Sequence, residues 1–188
     1  MPSLTSSAQN NAAQDVLDFW FSENVEKHWF VRSDDLDEEI KQHFSALYEQ
    51  AHSGTLDVWG DELHSALALT IILDQFPRNM FRGSGRAFES DAKARQIAKA
   101  AIEKGFDQQV SEKQRAFFYL PLMHSEDLND QKKSVELYEA LGNANSLDYA
   151  HQHLDIIAQF GRFPHRNVAL KRENTPEETE FLKTHSGF

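Results

Sequence analysis

The chain has 188 residues, a formal net charge of −11, 14 Phe, 3 Trp and no cysteine. That length fits one domain with a substantial core, and the acidic balance disfavours non-specific nucleic-acid binding. The missing cysteines exclude disulfides, thiolate metal sites and cysteine nucleophiles, and no apolar run approaches the length of a membrane span.

The first residues, MPSLTSSAQNNAAQ, lack the basic and apolar regions of a secretion signal. They read as a disordered tail over residues 1–11, ahead of one helical domain over residues 12–188, and a cytoplasmic location is expected. A first helix fits Ala12 to Phe21. Leu36, Ile40, Phe44, Leu47, Tyr48 and Ala51 then hold one face of a second helix, stopped by Gly54. Asp61 to Gln75 is apolar on most sides, which marks a central buried helix ended by Pro77. Ser90 is placed to cap a helix carrying Ile97, Ala98, Ala101 and Ile102, closed by Gly105. Ser111 and Gln114 form a capping box for a helix through Phe117, Phe118 and Leu120, which Pro121 should kink or end. Leu128 to Leu141 follows, closed by Gly142. Ser146 opens the next helix, with His151 on its apolar face beside Leu147 and Leu154, and Gly161 closes it. Thr175, Pro176 and Glu178 make a last helix start. Sustained apolar/polar alternation and hairpin dipeptides are missing. The expectation is an all-α fold of seven or eight antiparallel helices stacked as TPR-like hairpins, without a strict repeat.

One phrase nearly recurs. Residues 73–79 read LDQFPRN and residues 157–167 read IAQFGRFPHRN. Both follow an apolar helix, contain a proline and end in Arg-Asn. In the first, Asp74 sits at the negative end of a very apolar helix, where a carboxylate needs a cation. Arg78, Arg82 and Arg86, with Gly83 and Gly85 between them, could form an anion cradle, with Asn79 beside them. Equally, the arginines could tie helix-end carbonyls and pair Asp74. In the second, Arg162, His165, Arg166 and Asn167 are presented on irregular backbone, where His165 could serve as acid or base. Their alternative is a loop that satisfies its own carbonyls.

A third segment, FFYLPLMHSED at 117–127, ends an aromatic helix in His124, Ser125, Glu126 and Asp127. These could form an acid/base pair or a metal site, though capping explains all but His124. No HExxH occurs, and His151 and His153 are spaced for different helix faces, so no metal is assigned. The cofactor is left unknown. Gly-x-Ser-x-Gly and dinucleotide fingerprints are likewise missing.

The segments DVLDFWF at 15–21, HWF at 28–30, ILDQFPRNMFRGSGRAF at 72–88, FFYLPLMHSEDLNDQ at 117–131, FGRFPHRN at 160–167 and RENTPEETEFL at 172–182 resemble an uncharacterised, mainly bacterial family, domain of unknown function 924. The resemblance covers nearly the whole chain and implies a TPR-like helical fold. It implies no activity. Two functions therefore stay open. In one, Arg78, Asn79, Arg82, Arg162, Arg166 and Asn167 bind a small anionic ligand, with His124 or His165 as acid/base and Asp74 or Glu126 orienting it. In the other, the helical stack binds a protein or peptide partner and catalyses nothing.

Overall fold

A computed structural model describes the backbone of residues 4–185 and Gly187, with side chains from residue 11 onward. The fold is all-α, and no strand occurs among the described residues. Its α-helices in chain order are α1 (Leu4–Trp20), α2 (Glu23–Glu26), α3 (Asp34–Ser53), α4 (Leu63–Asp74), α5 (Phe76–Met80), α6 (Asp91–Glu103), α7 (Glu112–Met123), α8 (Leu128–Leu141), α9 (Ala144–Phe160) and α10 (Pro176–Phe181). Single 3₁₀ turns lie at Asp57–Asp61, Gly85–Phe88, Asp107–Gln109 and Pro164–Arg166.

Everything is arranged around α4. Its residues Ser65 through Asp74 are all buried, and Ala66 to Ile72 are 0% exposed. A helix apolar on every side must be surrounded, and α1, α3, α6 and α7 pack against it. Beyond α7 the chain continues as a stack: α8 packs on α7, and α9 packs on α8. A smaller apolar cluster of Ile156, Ile157 and Phe163 lies beyond, with Phe160 and Phe181 against it.

Local chemistry sets the helix ends. Ser33 accepts from the Leu36 amide at 3.3 Å to open α3. The capping boxes of Ser111 with Gln114 and Thr175 with Glu178 both form. Gly161 closes α9 at φ +70°, the left-handed region that glycine enters at least cost.

Several boundaries differ from the sequence expectation. α1 starts at Leu4, because no proline or glycine interrupts residues 4–20, so the expected tail is helical from there. Residues 1–3 lie outside the described residues. Ser90 stands at the start of α6 but its hydroxyl donates to the Leu73 carbonyl at 2.6 Å, tying α6 to α4 instead of capping α6. α9 is opened by Asn143, which accepts from the Ser146 amide at 2.9 Å. Pro121 falls in the last turn of α7, which continues to Met123. The short helices α2 and α5 were not expected, since one turn carries no readable periodicity.

Leu69→Ala should lower unfolding free energy by about 2–5 kcal/mol, because Leu69 lies within the helix that the others surround. Urea denaturation would show a lower midpoint at unchanged slope, and a loss below about 1 kcal/mol would contradict the central role of α4.

Candidate functional site

Four pieces of chain converge at one end of the bundle: the end of α4, the start of α6, the end of α7 and the turn after α9. Each is held there by its own local chemistry. Asp74 is the last residue of α4, and its side chain is 2% exposed. Arg78, one helical turn on, is carried by α5, whose first turn contains Pro77. Asp91 opens α6, His124 caps the end of α7, and Arg166 closes the 3₁₀ turn that starts at Pro164.

The contacts among them close into a ring. Asp74 Oδ1 and Oδ2 lie 2.8 and 3.0 Å from His124 Nδ1, and Gln75 Nε2 donates to Asp74 Oδ2 at 2.6 Å. Arg78 Nη1 lies 3.6 Å from Asp74 Oδ1 and also donates to the Asp74 carbonyl. Arg78 then grips Asp91 with both ends of its fork, at 2.8 and 3.0 Å. Arg166 Nη1 reaches the same Asp91 at 3.2 Å. The Arg166 guanidinium lies 4.5 Å from the Phe163 ring centre and 4.7 Å from that of Phe88. Phe163 meets His153 with ring centres 5.5 Å apart, and His153 meets His124 at 6.3 Å.

Burial and charge set the protonation of this ring. Burial alone would push the Asp74 carboxyl up. Attraction to His124 when that ring is protonated and to Arg78, with hydrogen bonds from His124 and Gln75, outweighs it and holds Asp74 well below the usual carboxylate range. Burial and the neighbouring Arg78 charge pull His124 below the ordinary histidine value, against the pull of Asp74. His124 is therefore neutral at pH 7. With Asp74 ionised, the proton sits on Nδ1 and donates to the carboxylate, which leaves Nε2 as an acceptor. Burial also depresses His153 to about 3 and His165 to about 4, aided by repulsion from His124 once that ring is protonated and from Arg166 respectively. Arg166 falls to about 10 through burial and repulsion from Arg78, and stays charged at neutral pH.

Two groups in the ring have unused capacity. Among the described residues, His124 makes hydrogen bonds through Nδ1 and none through Nε2. Among the described residues, Arg166 makes one side-chain hydrogen bond, to Asp91, although its side chain is 7% exposed and its Nε is buried without a partner.

Comparison with known proteins places the chain but not its chemistry. Residues 16–186 match a family described as bacterial protein of unknown function, DUF924. The chain belongs to that family. It is also similar to the solved structure of a protein of unknown function from Agrobacterium tumefaciens, with 41% identity and a TM-score of 0.90, covering 94% of this chain and 99% of that one. No curated protein matches it.

In this family member the residues singled out from sequence divide. Asp74, Arg78, His124 and Arg166 share the ring. His165 is half-buried beside it, its ring centre 5.6 Å from that of Phe163. The others are engaged elsewhere. Arg82 grips Asp37 at 2.7 and 2.8 Å, and Asn79 donates to Asp37 at 2.7 Å, fastening α5 to the start of α3. Arg162 grips Glu178 at 2.6 and 2.7 Å, which holds that carboxyl down at about 2. Asn167 donates to Asn174 at 2.8 Å and to Glu178 at 3.2 Å. Glu126 accepts both ends of the Arg172 fork, at 2.7 and 2.9 Å, and the Phe163 amide at 2.9 Å. Those contacts brace the loop that carries Arg166. No cluster of metal-ligating side chains occurs among the described residues.

Asp91, His153, Phe88 and Phe163 were not picked out from sequence as site residues. Asp91 looks like an ordinary acidic residue in a first helical turn. Helical phase puts His153, and not His151 as the sequence suggests, in the core: α9 buries Ala150, His153, Ile156 and Ile157, whereas His151 is exposed.

The depressed histidines make folding sensitive to mild acid. A histidine whose folded value lies below its unfolded one stabilises the fold above about pH 6.5, and that stability is lost as pH falls. His153 alone should contribute about 1.4 kcal/mol per pH unit below that point. His153→Gln should therefore flatten the loss of stability between pH 6.5 and 5, measured by urea denaturation at each pH. Identical pH slopes for the two proteins would show that His153 is not held neutral by the fold.

Proposed function

We propose that this ring is a small-molecule site, in which His124 moves a proton and Arg166 holds an anionic group of the ligand. The supporting observation is the pairing of unused capacity. His124 has its Nδ1 locked on a buried carboxylate and its Nε2 unengaged, while Arg166 is a buried cation using a fraction of its donors. A buried guanidinium ordinarily fills its hydrogen-bonding capacity, since unpaired buried donors cost free energy. A ligand oxygen would supply the missing partner.

Asp74 orients the imidazole and stabilises it when protonated, and it stays ionised throughout. Arg78 is already committed to Asp91 and the Asp74 carbonyl, so its role is to fix the two carboxylates in place. Arg82 and Arg162, paired with Asp37 and Glu178, are structural ties in this reading.

A thermal-shift panel of small carboxylates, sugar phosphates and nucleotides tests it. A compound present at 100 times its Kd adds about 2.7 kcal/mol, or roughly 5–10 °C in Tm for a domain of this size. The shift should appear in wild type and in Arg82→Ala, and vanish in Arg166→Gln. The same compound should move the His124 imidazole resonances. A shift that survives Arg166→Gln, or leaves His124 unmoved, places binding elsewhere. A flat panel would favour a module that binds a protein or peptide.

A further inference from the structure

We infer that the anionic group taken by this site is a single planar carboxylate on an apolar body, and not a phosphate. The inference rests on reading the ring as a small-molecule site, and it follows from the ring's charge, the unpartnered buried N–H of Arg166 and the aromatic rings packed around it.

Charge comes first. Arg78 and Arg166 face Asp74 and Asp91 in one contact network, so with its histidines neutral the ring has no surplus positive charge. A phosphate dianion would enter a buried site already supplied with carboxylates, and uncompensated buried charge is costly. A carboxylate adds half that charge.

Spare donors point the same way. The Arg78 fork is filled by Asp91. Arg82 and Arg86, which share the glycine loop with it, are drawn away by Asp37 and by Glu49 and Glu89. Among the described residues, Arg166 alone of these arginines has a buried N–H without a partner, its Nε, and one guanidinium edge matches the two oxygens of one carboxylate. A phosphate would call for several converging donors.

The rings packed around the cation favour an apolar body. Phe88 and Phe163 lie against the guanidinium, and the His153 ring lies against Phe163. A carboxylate carried on a flat or branched hydrocarbon would meet its cation among ring faces. Asp91 is the built-in competitor, since it already accepts from Arg166 at 3.2 Å.

Benzoate and phenyl phosphate form the decisive pair, because they share a ring and differ in the anion. Binding is read by thermal shift and by the His124 imidazole resonances, at constant ionic strength. Benzoate should bind at least tenfold more tightly than phenyl phosphate and move His124. Arg166→Lys, which keeps the charge and loses the fork, should weaken benzoate at least tenfold. Asp91→Asn should tighten benzoate and narrow the gap to phenyl phosphate, by freeing Arg166 and leaving the ring positive. This second variant decides the matter if Arg166→Lys does not fold. Phenyl phosphate binding as well as or better than benzoate, with His124 moving, would overturn the carboxylate assignment and leave the site standing. No response of His124 to either probe, in wild type and in Asp91→Asn, would overturn the assignment and the site together.

Discussion

The structure turns on one buried carboxylate. Asp74 ends the helix around which the others pack, at the negative pole of that helix and out of water. Left alone it would be protonated or would destabilise the fold by several kcal/mol. It is answered from two directions: by Arg78 one turn further along the chain, and by His124 from the end of α7. Those answers fix where α5 turns and where α7 stops. Arg78 also ties the open Asp74 carbonyl, so one side chain both pairs the acid and closes the helix end.

The cost is passed along and not fully cancelled. Arg78, brought in to face Asp74, needs more compensation than one acid at 3.6 Å supplies, and Asp91 at the head of α6 completes it. Asp91 is then shared with Arg166, whose loop is braced by Glu126 and Arg172. At each step except the last, no buried donor of these side chains lacks a partner among the described residues. Arg166 ends the series with one hydrogen bond and two aromatic neighbours among the described residues, and a basicity reduced by burial. A fold seeking stability alone would have little reason to bury a guanidinium so sparsely bonded, and the proposed ligand would answer that mismatch.

Much of this was legible in the sequence, for reasons that differ by residue. The buried character of α4 is written in its uninterrupted apolar run, and the caps at Ser111 and Thr175 are local patterns. Asp74, Arg78, His124 and Arg166 stood out because ionisable groups at the ends of apolar helices demand partners. Which partners they find is a matter of tertiary geometry. Arg82 and Arg162 carry the same local signature as Arg78 and Arg166, yet meet Asp37 and Glu178 from distant segments. Asp91 was hidden because its local role as a first-turn acid is sufficient explanation by itself. His153 was lost through helical phase: Leu147 and Leu154 suggest one face, but both are only partly buried, and the packing on α8 selects the other.

The two near-identical phrases, LDQFPRN and IAQFGRFPHRN, show how similar local chemistry is turned to different ends. In the first, proline follows directly and the chain continues as α5, so Arg78 folds back on the helix it follows. In the second, Gly161 breaks the helix before proline arrives, and two arginines take separate paths: Arg162 outward to Glu178, Arg166 inward to Asp91. The inserted glycine thus creates the freedom that lets one arginine secure α10 while the other enters the ring. Arg78 and Arg166 then meet on a single carboxylate from distant segments of the chain. That convergence ties α5, α6 and the segment after α9 together, and it leaves the second arginine free to do more than hold the fold.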